Sequence, residues 1–591
     1  MMSRRTKVLT AFAAAAALGL SACGGVGEDD GGDGNGNEDS GAAAEFNSAL
    51  TEVYNPSDEQ GGTLKMGKPG DWGDTVDPGE TYYGYSWNFT RYYARPLVMF
   101  NPVPGKGSQE IVPDLAEDVG EPSDGGQTWT YTLKDGVKYE DGTEVTSEDV
   151  KYAVLRSTDK ETFPSGPAYF EALLDLPEGY QGPFKTPDMN TDQAIETPDD
   201  KTIVFHLTQP FAGFDYLAQL PQTAPVPADK DTGAQYREHV ISTGPYMWDT
   251  YESGKRYVLV RNPEWDQSTD DLRKALPDRI EVQLNMNPND VDNQMISGDL
   301  MMDIESIGVQ PATRGRLLND PDLKAMSDNP VASRLQYTSI NPTVKPLDNI
   351  ECRKAIMYGM DRSAYVTAYG GPVAGGEPAT TIMPPTIPGH VDFDVFPAGE
   401  TGDVEAAQEA LEACGQPDGF ETNIAYRAER PQEKAVAEAF QQALERVGIT
   451  ANPKPLPQGT YFTETCGLPP YVVKNNIGMC LNSWGADWND GYGFLSQIVD
   501  SRVIRETGGS SNTSVRIPEV DEMLDEALAE LDDAAREQLW GEIDRRVMEE
   551  AVIYPGVHGK VLLVRPQGVT NVFVNESYGQ YDFMSLGVEN P

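Results

Sequence analysis

The longest apolar run in the chain, residues 8–20, follows Arg4, Arg5 and Lys7 and is well short of the ~20 residues a membrane-spanning helix needs. A basic start and a short apolar core are the pattern of a secretory signal. No later stretch is long and apolar enough to span either, so the rest of the 591 residues is expected to fold as a water-soluble body. At roughly 150 residues per domain that body has room for several packed units. Its 39% hydrophobic and 24% charged residues, with 27 Tyr and 8 Trp, are those of a globular protein. With 94 acidic against 45 basic residues the net charge is −49, which repels nucleic-acid backbones and anionic lipid heads alike.

The apolar run ends in Leu20-Ser21-Ala22-Cys23, which resembles the bacterial lipobox, in which cleavage precedes a lipid-modified cysteine. Residues 1–22 are therefore expected to be a lipoprotein signal, with Cys23 opening the mature chain and carrying the membrane anchor. Ser3-Arg4-Arg5 opens like a twin-arginine signal but lacks the Phe-Leu that usually follows. Residues 24–41 hold 8 Gly and 6 Asp or Glu in 18 positions, a composition with nothing to bury. Residues 23–58 as a whole are expected to be a flexible tether outside the cytoplasm.

Four further cysteines in an oxidising compartment favour disulfides. They allow three pairings. Cys466 and Cys480 enclose a short loop, and Cys352 and Cys414 each lie on a predicted helix, so Cys466–Cys480 and Cys352–Cys414 are the expected bridges. No closely spaced Cys or His pair of the zinc type occurs, and His206, His239, His390 and His558 are scattered singly. No metal site or cofactor is expected.

The periodicity is that of a mixed α/β body without repeats. Residues 128–133 alternate as a half-buried strand, Asp141-Gly142 marks a turn, and a helix opens near Thr146 or Ser147. Residues 201–207 and 257–261 read as strands. Helices are predicted over 403–414, through Val436, Phe440, Leu444 and Val447 to a Gly448 cap, and over 517–531 and 534–551. The phosphate-loop, H-E-x-x-H and G-x-S-x-G patterns are all missing, so no motif speaks for an enzyme.

Several ordered segments do speak for something else. Pro113-Asp114-Leu115-Ala116 is followed by the aromatic strand at 128–133, by residues 134–142 (KDGVKYEDG), and by Thr146-Ser147-Glu148-Asp149-Val150. Gly61-Gly62-Thr63-Leu64 and Val76-Asp77-Pro78 precede them. Ser242-Thr243-Gly244-Pro245-Tyr246, Arg261-Asn262-Pro263, Asn341, Arg353-Lys354-Ala355-Ile356, Asp361-Arg362 and Ser483-Trp484-Gly485-Ala486-Asp487-Trp488 come after. In this order they closely resemble the extracellular solute-binding proteins of the peptide and nickel type, receptors of ABC importers. Gly136, Gly142 and Asp149 in these motifs read as turn and helix-start residues, hence structural.

The resemblance implies an α/β, two-lobed periplasmic-binding-protein-like fold of the large cluster C type, with two interlobe crossovers and a ligand cleft. Lobe I is expected to hold residues 59–305 plus 556–591, with an extra subdomain near 105–200, and lobe II residues 306–555. It further implies that Asp487, in the Trp-x-x-Asp loop, pairs with a peptide's α-ammonium and that Gly485 offers backbone hydrogen bonds. Trp484 and Trp488 are expected to wall the cleft, with Tyr82, Tyr83 and Gly84 approaching from the other lobe, and His558 is a weaker candidate. For the ligand carboxylate Arg427, Arg430, Arg502 and Arg505 are all candidates by position.

The implied function is capture of dipeptides or oligopeptides by a lipid-anchored monomer, without chemistry, and delivery to membrane permease subunits driven by a separate ATPase. Within the class the alternatives are an oligosaccharide, a nickel complex or a modified peptide. Asp487 disfavours a neutral ligand, because a cleft carboxylate without a cationic partner is costly. A secreted hydrolase of cell-wall peptides is the alternative from another class.

Overall fold

The computed structural model describes residues 45–590 except 73, 74, 160, 164, 165, 307, 429, 458, 459, 507 and 508. The expected signal, Cys23 and the acidic first part of the tether lie outside the described residues.

Two sheets form the cores of two lobes. In the first, strand Thr63–Pro69 runs parallel to Met302–Asp303 on one side and to Arg279–Met286 on the other, and Arg256–Arg261 and Tyr246–Glu252 extend it antiparallel. The central strand Arg279–Met286 alternates in burial: Ile280, Val282 and Leu284 are buried, while Glu281, Gln283 and Asn285 are not. The second sheet has the order Gly376–Pro378, Ile553–Lys560, Val331–Ile340, Ile477–Gly485, Glu421–Arg427, Thr450–Leu456. Ile477–Gly485 lies inside it, and its run from Ile477 to Asn482 is buried without alternation because both faces are covered. A smaller antiparallel sheet is built from Glu121–Ser123, Thr128–Thr132, Thr202–His206 and Ile195–Glu196, three of them within the stretch expected as an extra subdomain.

The predicted helices are present as Val404–Ala413, Pro431–Glu445, Pro518–Ala529 and Asp533–Glu549. Helix Ser147–Ser157 starts on a reciprocal cap, in which Asp149 Oδ2 accepts from the Thr146 backbone N–H at 2.9 Å. Gly448, at φ 91°, follows the helix that ends at Glu445. Cys352 is bonded to Cys414 and Cys466 to Cys480. The first bridge ties the start of helix Ile350–Gly359 to the end of helix Val404–Ala413.

The chain passes from the first sheet to the second after Asp303 and back after Lys560, and the two passages hydrogen-bond to each other. Ser327–Asp328 and Leu563–Val564 pair as a short antiparallel ribbon. This moves the expected lobe boundaries. Strand Ile553–Lys560 belongs undivided to the second sheet, so a boundary at 555 and 556 would cut it. Leu317 of helix Pro311–Asn319 packs with Val291 and Met295 on a helix of the first lobe, so the earlier boundary at 305 and 306 also falls too soon. Both passages begin later than the motifs suggest, because strand register and helix docking are not visible in the motif spacing.

The expected tether over 23–58 is also shorter than composition indicates. From Glu45 the chain lies on the body. Asn47 N donates to Ser327 O at 3.0 Å, Ala49 is fully buried and its N–H donates to Asp328 Oδ1 at 3.0 Å, and Tyr54 exchanges backbone hydrogen bonds with Val572. Asp328 also accepts from the Tyr581 hydroxyl at 2.7 Å and faces the Arg565 guanidinium at 3.3 Å, all without exposure to water. A segment with few apolar residues is ordered here by what it covers, a buried carboxylate on the interlobe ribbon.

Removing residues 45–58 leaves Asp328 short of a donor, at a cost of about 1–3 kcal/mol. A chain beginning at Glu59 is therefore expected to melt several degrees below one beginning at Glu45, by circular dichroism. Equal melting temperatures would show that the docked segment contributes nothing to stability.

Candidate ligand-binding cleft

Strand Ile477–Gly485 ends where the sequence turns to Gly, Asp and Asn, and the loop from Ala486 to Asp490 leads into helix Gly491–Val499, which Asp490 caps by accepting from Tyr492 N at 2.8 Å. Trp484 is anchored by its indole N–H, which donates to Phe494 O at 2.7 Å. Asp487 N donates to Gly493 O at 3.1 Å, so the loop is pinned to the first turn of the helix. Gly493 is required there: a Cβ would stand 2.7 Å from the Trp488 ring.

The Asp487 side chain leaves lobe II and meets lobe I. The Tyr82 hydroxyl donates to Oδ1 at 3.0 Å and the Tyr169 hydroxyl to Oδ2. Burial pushes the Asp487 carboxyl up to about 6, against the lowering effect of the two tyrosine hydrogen bonds. A carboxylate has roughly four lone-pair directions, so two tyrosines leave acceptor capacity for a cation.

The loop that carries Tyr82 is held from beneath. Both guanidinium nitrogens Nη1 and Nη2 of Arg156 donate to Asp77, each at 2.7 Å, and Nε donates to Asp231 at 2.7 Å. All three side chains are essentially inaccessible to water. Asp77 also accepts from Gly79 N at 2.9 Å, and a Cβ on Gly79 would lie 2.5 Å from Arg156 Nη1. From this base the chain rises to Tyr82, Tyr83 and the helix Gly84–Thr90.

A cavity of about 940 Å³ opens between these parts. Its walls include Tyr82, Tyr83, Trp484 and Asp487, so four of the expected site residues come together. Three do not. Trp488 is only 2% exposed and packs edge-on to Tyr169 at 4.6 Å, within the subdomain core, because the loop turns its ring away from the cavity. Gly485 is a sheet residue opposite Arg334, and Gly84 opens a helix at an exposed position; neither lines the cavity. His558 is buried, with Nε2 3.1 Å from Thr381 O, and burial lowers its pKa to about 4, so it serves the interior.

The remaining walls were not legible in the motifs. Trp72, Tyr251 and Tyr257 form an aromatic side, with Tyr251 and Tyr257 stacked at 4.8 Å, and Asp71, Glu80, Glu238 and Arg237 supply charge. Tyr169 stands 318 residues before Asp487 and no local pattern marks it. Among the arginine candidates, Arg427 is buried on Glu433, Arg502 pairs with Asp500 and Asp525 on the surface, Arg505 lines neither large cavity, and Arg430 lines a second one.

Residues 110–505 match the family model of bacterial extracellular solute-binding proteins, family 5. The chain belongs to that family. Among curated relatives, the probable D,D-dipeptide-binding periplasmic protein DdpA of Escherichia coli K12 is 26% identical over 497 residues, covering 83% of this chain and 87% of that one. Oligopeptide-binding protein OppA of Bacillus subtilis is 24% identical, covering 74% and 77%. Among solved structures, the clavulanic acid biosynthesis oligopeptide binding protein 2 is 41% identical with a TM-score of 0.89, covering 93% of this chain and 99% of that one. As a family 5 protein this one has the two-lobed α/β architecture of extracytoplasmic binding proteins, and no helix among the described residues is long and apolar enough to cross a membrane.

Replacing Arg156 with Met strands two buried carboxylates, Asp77 and Asp231. The variant is expected to lose about 3–5 kcal/mol of unfolding free energy in urea, and a loss below 1 kcal/mol would show that the ion network is dispensable to the loop.

Proposed function

We propose that the protein is the extracytoplasmic receptor of an ABC importer for short peptides, dipeptides or oligopeptides, and that it performs no reaction of its own. The single observation that carries the peptide reading is Asp487, a partly buried carboxylate on the wall of the cleft between the lobes. An α-ammonium placed there replaces a costly lone charge with a charge-assisted hydrogen bond in a medium of low dielectric. Trp484, Tyr82 and Tyr83 give flat surface for the first residues of the ligand, and Gly485 lies at the end of the neighbouring strand. The relatives are named as binding proteins for dipeptides and oligopeptides, which agrees with this reading. We include in the proposal a lipid on Cys23 and a monomer that delivers its cargo to permease subunits served by a separate ATPase.

Because Tyr82 and Tyr169 belong to lobe I and Asp487 to lobe II, a ligand on Asp487 biases the equilibrium between open and closed lobes. It does so through contacts available only when the lobes meet.

Two measurements test this. Protein purified without refolding and examined by native mass spectrometry should carry a mixture of short peptides that is absent from an equally folded Asp487→Asn variant; a single non-peptide mass, or unchanged peptides in the variant, would sink the assignment. The pH dependence has a definite sign. The folded carboxyl titrates near pH 6, above its unfolded value, so ammonium binding must release a proton below that pH. Peptide affinity should be level from about pH 6 to about pH 7, below the titration of the α-amino group, and fall by about tenfold per pH unit beneath pH 6, and Asp487→Asn should abolish that acid-side slope.

A further inference from the structure

Residues 45–58 take no part in the cleft: none of them lines the cavity around Asp487. They begin instead on the ribbon of Ser327–Asp328 and Leu563–Val564, where the two interlobe passages pair. Asn47 N donates to Ser327 O at 3.0 Å and Ala49 N to Asp328 Oδ1 at 3.0 Å. In return Asn329 N donates to Asn47 Oδ1 at 2.8 Å, and Arg565 Nη2 donates to Glu45 O at 2.6 Å. Asn47 holds φ at 70°, in the left-handed region that Asn tolerates better than most side chains, so the residue that makes the turn is also one that bonds the ribbon.

The other end of the segment is fixed to lobe I. Tyr54 N donates to Val572 O at 2.8 Å, Asn571 N to Asn55 O at 2.9 Å, and Ser57 N to Asn571 Oδ1 at 3.0 Å. Leu50 and Tyr54 pack against the core that contains Leu64, Met66 and Ile280 of the first sheet. On the far side of the ribbon, Asn329 reaches lobe II: its Nδ2 donates to Val373 O at 2.6 Å and to Val561 O at 2.8 Å. Val373 lies on the short helix Gly371–Ala374, just before strand Gly376–Pro378 of the second sheet, and Val561 follows strand Ile553–Lys560 of the same sheet. The segment and Asn329 together therefore link the core of lobe I to the backbone of lobe II.

We infer that residues 45–58 are a strap across the hinge, whose docking holds the lobes where Tyr82 and Tyr169 reach Asp487 and so raises ligand affinity from outside the cleft. Domain closure is absorbed by a few backbone dihedrals in the connecting segments. Here the connecting residues 327–329 have a carbonyl, a carboxylate and an amide engaged by the strap, so a change in their dihedrals must break those bonds or carry the strap with it. The bonds are made while both tyrosines are on Asp487. An interaction present in one of two states shifts their ratio as a ligand does, and it changes the affinity of any ligand that prefers that state. The inference rests on the peptide reading for its ligand and adds to it a control remote from the ligand. The strap also follows the expected tether in the chain, so it stands between the anchor proposed on Cys23 and the hinge.

The test compares the mature full-length protein, freed of bound material, with its Asn47→Gly and Asp58→Asn variants, each checked by circular dichroism for a native fold. Glycine keeps the positive φ and removes only the side chain that accepts from Asn329 N. Asp58 pairs with Lys274 at 2.6 Å on the surface of lobe I and is the control within the same segment. Small-angle X-ray scattering reads the spread of the lobes without peptide. Native mass spectrometry reads occupancy against rising concentrations of an equimolar library of tri- and tetrapeptides. Asn47→Gly should scatter as a larger particle and should need at least about fivefold more library for half occupancy, while Asp58→Asn matches the native protein in both.

Native scattering and occupancy in Asn47→Gly overturn the inference and leave the peptide reading intact. An equal loss in Asp58→Asn overturns it as well, since the effect would then be one of general stability. If the library binds none of the three proteins the peptide reading fails, and scattering alone decides the strap: a larger Asn47→Gly particle upholds it, and equal particles overturn it.

Discussion

A carboxylate withdrawn from water must be hydrogen-bonded or paired, or it gives up its charge. Asp487 meets that requirement with two tyrosine hydroxyls from the opposite lobe, and the cleft is organised around this contact. The tyrosines stabilise the ion only in part, since the carboxyl is still held near pH 6, within reach of ordinary pH. In the proposed function the ammonium of a peptide supplies the rest of that stabilisation.

The contact depends on two pieces of structure far from it. One is the Arg156 guanidinium, closed between Asp77 and Asp231, which fixes the loop that presents Tyr82. Such a network adds little net stability compared with an apolar core, but its strict geometry sets one position for the loop. The other is the ribbon between Ser327–Asp328 and Leu563–Val564, where the two interlobe passages bond to each other and the segment from Glu45 covers Asp328. The two interlobe passages therefore form one paired and covered strip rather than two separate threads.

The family motifs made much of this legible because they encode local geometry. The helix opens at Ser147 with Asp149 in its first turn, the alternation at 128–133 is a strand over Thr128–Thr132, and Trp484 and Asp487 do line the cavity. The misreadings share one cause. Trp488 is one residue from Asp487 but turns into the subdomain core, the residues after Glu45 look like more tether but cover a buried charge, and strand Ile553–Lys560 runs past the boundary drawn through it. Each of these depends on what a residue meets across hundreds of positions, and composition and spacing do not carry that.

By itself the sequence determined the acidic, mixed α/β character of the chain, because hydrophobic periodicity, turn residues and net charge act locally or as sums, while its motifs, through their resemblance to a family, implied the two lobes and the loop that bears Asp487. Only the tertiary structure decided that Tyr82 and Tyr169 converge on that carboxylate and that the Trp488 ring turns away from the cavity. The physical reason is that hydrogen bonds and desolvation act over a few ångströms, and those distances exist only after the two sheets have brought together residues that are far apart in the chain.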